Sequence, residues 1–207
     1  MSSPVMYHQH MSFESMRRDF FFYDHFYGSG IQDLWTNTGN GSGTVIDGVA
    51  GGICRLVSGA AATNNHALTW GTKRSLFALN EVAMEGRLEE AETNDAEFYF
   101  RLLNAGHQSL FIWGSAGAEL KIYTRNGAGT TQNDASNWTR DTNPHIYRIQ
   151  CHLYGGLHVH YYQDNVQSVG SPHLTNVETH ELEPHIMRYT AAAANKTMDI
   201  DYVAVRM

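Results

Sequence analysis

Met198-Asp-Ile-Asp-Tyr-Val-Ala-Val-Arg-Met207 alternates apolar and polar residues up to the last residue of the chain. Such alternation marks a half-buried strand, because successive side chains leave opposite faces of a pleated backbone. Just upstream, His145–Leu153 and Leu157–Gln163 are strand-like runs joined by Tyr154-Gly155-Gly156, which predicts a long antiparallel hairpin. A hairpin followed by a closing strand predicts an all-β fold, a two-sheet antiparallel β-sandwich. Unbroken alternation in the last strand sends Ile200, Tyr202 and Ala204 to one face. Asp199, Asp201, Val203 and Val205 then take the other.

The rest of the chain fits that class. Phe20-Phe-Phe-Tyr-Asp-His-Phe26 predicts a first strand. Thr44–Asp47 and Gly52–Val57 flank Asp47-Gly48, a favoured hairpin turn pair. Ala67–Thr72 and Leu76–Ala78 are further strand candidates. Glu81–Glu92 has a helix-like composition, yet Met84, Gly86 and Leu88 alternate with Glu85, Arg87 and Glu89, so a strand is expected. Ala96–Leu103 predicts a strand with Ala96, Phe98, Phe100 and Leu102 on its buried face. Ser109–Trp113 and Glu119–Thr124 make another hairpin. Asn126–Asn143 reads as a polar loop. Residues 1–18 are polar and aperiodic, which predicts an extended N-terminal arm before one sandwich domain over residues 19–207.

Composition narrows the function classes. The 207 residues include 9 Phe, 11 Tyr, 4 Trp and 19 Gly, a mixture suited to short strands and tight turns. A net charge of −7 argues against nucleic acid, whose surface calls for clustered Lys and Arg. No apolar run approaches the roughly 20 residues of a membrane span. No charged segment followed by an apolar one opens the chain, so no signal peptide is expected. Cys54 and Cys151 sit in alternating strands and read as buried free thiols, with a single bridge as the alternative if their strands face each other.

Several motifs, taken in order, resemble the concanavalin A-like or laminin G-like jelly roll over about residues 19–207. They are Phe22-Tyr-Asp-His-Phe26, Asp47-Gly48, Glu85-Gly-Arg-Leu88, Tyr147-Arg-Ile149, His158-Val-His-Tyr-Tyr-Gln-Asp164 and Asp199-Ile-Asp-Tyr-Val-Ala-Val205. Within that superfamily the chain is most similar to modules of bacteriophage virions, which decorate capsids or sit on tails and fibres. The resemblance implies a non-catalytic structural protein of the virion surface. It implies major capsid or other virion proteins as partners, and a cyclic homo-oligomer such as a trimer. The alternative it carries is a carbohydrate-binding, lectin-like module, with a glycoside hydrolase of the same fold behind it.

A retaining glycosidase needs two carboxyl groups about 5 Å apart on one face, as Glu-x-Asp-x-x-Glu on one strand supplies. The acidic stretch here reads Glu89-Glu-Ala-Glu92-Thr-Asn-Asp95-Ala-Glu97. Asp95 and Glu97 are expected on one face without that spacing, so the stretch reads as a solvated face and no catalytic residue is assigned. Neither a Gly-x-Ser-x-Gly nucleophile turn nor a phosphate loop occurs, and no cofactor is expected. His8 and His10, and again His158 and His160, stand at i and i+2. That spacing binds a metal only where a third ligand converges. His158 and His160 are weak metal candidates, and packing against Arg148, Gln150 or His152 is their other reading. Trp113, Tyr123, Trp138, Tyr161 and Tyr162 are candidates to stack on sugar rings. Trp138, in the polar loop with Asn133 and Asn137, leads as a ligand site. Trp113 and one of Tyr161 and Tyr162 are assigned to the core by default, and Trp35 reads as a structural plug.

Overall fold

The computed structural model describes residues 21–28, 30–46, 51–71, 76–77, 81–104, 108–116, 119–125, 131–152, 158–174 and 181–207. The expected arm with His8 and His10, and the tips Asp47-Gly48 and Tyr154-Gly155-Gly156, lie outside the described residues. The described residues form seventeen strands. The first six are β1 (Phe21–Asp24), β2 (Thr36–Gly39), β3 (Ser42–Ile46), β4 (Ile53–Val57), β5 (Asn65–Thr69) and β6 (Leu76–Phe77). Then come β7 (Ala83–Glu90), β8 (Ala96–Asn104), β9 (Gln108–Gly114), β10 (Leu120–Arg125), β11 (Thr131–Ala135) and β12 (His145–His152). The last are β13 (His158–Gln163), β14 (Val166–Gln167), β15 (His173–Leu174), β16 (Glu181–Thr190) and β17 (Thr197–Arg206).

They build the two-sheet antiparallel sandwich that the alternation predicts. Sheet I runs β14-β13-β12-β7-β17-β4-β3, with β1 also on β17 and β15 on β13. Sheet II runs β11-β10-β9-β8-β16-β5-β2, with β6 on β16. The first and last described strands are therefore hydrogen-bonded neighbours, Phe22 opposite Val205. Inward side chains of sheet II, Phe98, Phe100, Leu110, Ile112 and Ile122, meet Met84, Tyr147, Ile149 and Val203 of sheet I in one core. Burying each large apolar side chain stabilises the fold by about 1.5–3 kcal/mol.

The closing strand departs from simple alternation. The register slips between Ile200 and Tyr202, placing a bulge at Asp201. Met198 and Ile200 before it and Val203 and Val205 after it are all buried. An extra residue resets the period of two, so both halves of the strand present their apolar side chains to the core. Tyr202 and Ala204 face out, and the expected grouping of Val203 and Val205 with the aspartates holds on neither side of the bulge. Asp199 and Asp201 instead form ion pairs with Arg55 at 2.7 Å and Arg87 at 2.6 Å on the outside of sheet I.

Two further expectations change. Within the expected loop 126–143, residues 131–135 form strand β11 on the edge of β10, with Asn133 opposite Tyr123. A polar segment serves there because an edge strand has one neighbour and its backbone supplies the pairing. Asp95 precedes β8 in a left-handed turn, at φ +52°, and so does not share a strand face with Glu97. Cys54 and Cys151 are free and fully buried, and burial pushes both thiols up to about 12. Strands β17 and β7 separate them within sheet I, so a bridge between them is out of reach. Trp35 is the expected plug: its indole N–H donates to the buried Asp24 carboxylate at 2.9 Å.

One end of the interior holds charge. Arg140, in the segment between β11 and β12, binds the Glu90 carboxylate through Nε at 2.8 Å and Nη2 at 2.5 Å. Arg188 of β16 donates to the same Glu90 carboxylate and to Glu92 at 3.3 Å. Both arginine side chains are fully inaccessible. Arg140 also donates to the carbonyls of Ala96 and Ser115, tying the crossing segment to both strands at the open end of the β8–β9 hairpin. Gly114 leaves room for this guanidinium, since a Cβ there would lie 2.6 Å from Arg140 Nε.

Candidate functional site on the outer face of sheet II

Where β8, β9 and β10 send Phe98, Phe100, Leu110, Ile112 and Ile122 inward, the intervening residues must face out. Pairing sets them in rows across the sheet. One row is Lys121–Trp113–Tyr99–Met187, and the next is Tyr123–Phe111–Arg101–His185. Tyr99, Phe111, Trp113 and Tyr123 are all half-buried on that face. Phe111 and Tyr123 stack with centroids 4.6 Å apart and planes 4° from parallel. Trp113 lies parallel to Tyr99 at 6.0 Å and edge-on to Tyr123 at 5.7 Å. The four rings are one continuous array over three adjacent strands.

Glu97, the next outward residue of β8, holds one end of the array. Its Oε2 accepts the Tyr99 hydroxyl at 2.9 Å and the Trp113 indole N–H at 3.0 Å. Burial and the Glu97 carboxylate both raise the Tyr99 phenol above its ordinary value, so it remains a donor at neutral pH. Cations lie over the rings: Arg101 is 5.3 Å from the Tyr99 centroid and Lys121 is 5.4 Å from that of Trp113. From beneath, the buried Tyr161 hydroxyl donates to the Tyr123 carbonyl at 2.5 Å. The same hydroxyl lies 2.7 Å from Thr124 Oγ1, which is 2.7 Å from Nδ1 of the buried His173. The array therefore rests on a rigid polar tie between the sheets.

Arg101 Nε donates to His185 Nδ1 at 3.1 Å. Burial, then the adjacent guanidinium, drives the His185 pKa down to about 3. Its folded-state value lies below the unfolded 6.5, so as pH falls the unfolded chain takes up the proton first. Stability is full above about pH 6.5 and is lost below it. Between pH 7 and pH 5 this one group is expected to remove about 2 kcal/mol. His66, His160 and His173 shift in the same direction, and His145, raised by Asp164 and Asp141 against its own burial, opposes them. Urea titrations at the two pH values check this, and His185→Gln should flatten the slope.

The residues singled out from sequence divide between two places. Trp113 and Tyr123 are on the array, and Asn133 is at the register position opposite Tyr123. The default assignment of Trp113 to the core is corrected: its neighbours Ile112 and Gly114 take the inward positions. Tyr161 is the inward tyrosine of its pair. Trp138 and Asn137 are elsewhere, in the crossing segment. The Trp138 indole donates to the Val166 carbonyl at 3.0 Å while its ring packs on the core, and Asn137 accepts the Val169 N–H at 3.0 Å. They latch two segments at the sandwich edge and do not join the array. Tyr99 and Phe111 went unnamed, although the parity of Ala96–Leu103 already turned Tyr99 outward.

His158 and His160 stand on the outside of sheet I. His160 packs edge-on to His152 at 5.0 Å, the cross-strand packing that was their other reading. Among the described residues no group of three His, Cys, Asp or Glu is arranged to hold a metal. Glu97 and Glu183 are the in-strand carboxylates with described side chains on the outer face of sheet II. Glu97 is opposite Tyr189, and Glu183 is six residues further along β16, roughly 20 Å away. Hydrolysis of a glycosidic bond needs two carboxyl groups about 5 Å or about 6.5–9.5 Å apart.

No protein-family model matches the chain, and no curated protein does. Solved structures do match in shape. A GH16 protein from a mixed linkage glucan PUL of Bacteroides ovatus, in complex with a G4G4G3G product, has a TM-score of 0.68 at 13% identity, covering 89% of this chain and 99% of that one. A beta-1,3-glucanase from Mycobacterium marinum has a TM-score of 0.62 at 13% identity, covering 89% and 97%. The carbohydrate recognition domain of Emp47p has a TM-score of 0.63 at 10% identity, covering 89% and 93%. At these identities the likeness is one of fold: the chain is a two-sheet antiparallel jelly-roll sandwich like theirs.

Proposed function

We propose that the chain is a non-catalytic carbohydrate-binding module whose glycan lies across the outer face of sheet II. The observation that carries this reading is the array of Tyr99, Phe111, Trp113 and Tyr123, pinned by Glu97 and flanked by Lys121 and Arg101. Aromatic rings pack against the C–H faces of pyranoses, and the surrounding polar groups meet the hydroxyls. Both hydrolases and a carbohydrate recognition domain with this fold support a saccharide ligand. The wide separation of Glu97 and Glu183 supports binding without turnover. Affinity electrophoresis against a panel of polysaccharides tests it. Retardation by at least one glycan, with no new reducing ends released, is expected. Release of reducing ends would replace the binding module with a hydrolase.

A second reading, a decoration subunit on the surface of a phage particle, draws on a different surface. Phe21, Tyr23 and Tyr27 are strongly exposed beside the outer face of sheet I, with Tyr202 stacked on Tyr23 at 5.5 Å. A contiguous exposed aromatic patch marks an interaction site. Under this reading capsid or neighbouring subunits cover the patch. The protein would then be found in purified particles by mass spectrometry and would run as an oligomer alone. A monomer absent from particles discards it.

A further inference from the structure

The charges around the Phe111–Tyr123 pair are of one sign. Lys121 and Arg125 stand two residues before and two after Tyr123 on β10, each roughly 7 Å along the strand. Arg101 is directly opposite Phe111 on the far side. The stacked pair is thus enclosed on three sides by cations. Carboxylates are held away from it. Glu97 is two rows off and its Oε2 is taken by Tyr99 and Trp113. Glu183 lies three strands from Arg125 in its row and is hydrogen-bonded to Thr69 and the Gly71 amide. Glu119 reaches Lys121 at 3.0 Å but is 66% exposed, and such a pair contributes at most about 1 kcal/mol and yields readily to another anion. Arg101 is hydrogen-bonded to the neutral His185 imidazole, and the Glu183 carboxylate, two residues along β16, acts on it through space.

Resting on the glycan-binding reading above, we propose that Phe111 and Tyr123 with Lys121, Arg101 and Arg125 form a subsite for an anionic sugar unit, one bearing a carboxylate or a sulfate ester. The ring pair takes the apolar surface of the sugar, and the guanidinium forks take the anion through charge-assisted hydrogen bonds. The whole chain carries a net charge of −7 and repels polyanions at long range. Preference for a polyanion must therefore come from this local arrangement.

Matched polysaccharides test it by affinity electrophoresis: polygalacturonate against its methyl ester, and dextran sulfate against dextran. The anionic member of at least one pair is expected to bind roughly tenfold more tightly, with affinity falling as salt rises. The pair that discriminates names the anion as carboxylate or sulfate. Lys121→Gln with Arg125→Gln should abolish the preference while an unchanged circular dichroism spectrum reports an intact fold. Equal affinity for both members of each pair overturns the subsite but leaves the binding module standing, as does a preference that survives the double variant. No binding to any charged or neutral glycan overturns both.

Discussion

Glu90→Ala is expected to lower the unfolding free energy by about 3–5 kcal/mol, because it leaves the buried Arg140 without a carboxylate and Arg188 with Glu92 alone, where water cannot reach either guanidinium. The attraction within the cluster roughly offsets the cost of burying its charges, so the intact network adds little net stability. Removal of one member is costly because the desolvation of the others is left uncompensated. Arg140 has a second role, since its bonds to the Ala96 and Ser115 carbonyls fix the ends of β8 and β9 that carry Glu97 and Trp113. For a chain of this size the loss corresponds to a midpoint drop of about 6–20 °C. Urea and thermal unfolding measure it. A change under 1 kcal/mol would mean that the cluster is solvated in solution.

Trp113→Ala is expected to weaken glycan binding by roughly 30-fold, the scale of about 2 kcal/mol that a central aromatic contributes to an interface. The indole is half-buried and outside the core, so folding should survive its loss. Its removal takes away a stacking face and one of the two donors on Glu97 Oε2, and frees Tyr99, which is stacked against it. Trp138→Ala is the contrast. That ring packs on the core and ties 138 to 166, so its loss should reduce stability and leave affinity unchanged. Titration of both variants with the same polysaccharide separates the two tryptophans.

The architecture was largely legible because sandwich strands write a period of two into the sequence. Ala96, Phe98, Phe100 and Leu102 face the core as their spacing requires, and 83–90 is a strand despite its helix-favouring residues. Tertiary pairing outweighed propensity there, since β7 lies between β12 and β17. The bulge at Asp201 was not legible, because one inserted residue leaves the alternation locally intact on both sides and only the partner strand reveals the slip. Strand β11 was hidden because an edge strand on β10 needs no apolar side chains. The site was half legible. Trp113 and Tyr123 stood out as aromatics, but which of them share a face depends on the registers of three strands, and register is not a local property of any one. Trp138 looked available because its polar neighbours suggested a loop tip, whereas its ring fills a gap at the sandwich edge.

The proposed glycan lies across the outer face of sheet II. The four tryptophans make that directly measurable, since Trp35, Trp70, Trp113 and Trp138 each contribute one indole N–H resonance. Trp35 and Trp70 are in the core, Trp138 is on the edge, and Trp113 alone is on the array. Titration of the 15N-labelled protein with a polysaccharide that it binds should move the Trp113 indole signal progressively while the other three stay in place. Movement of the Trp138 signal with Trp113 unmoved would put the ligand at the sandwich edge and off the face of sheet II.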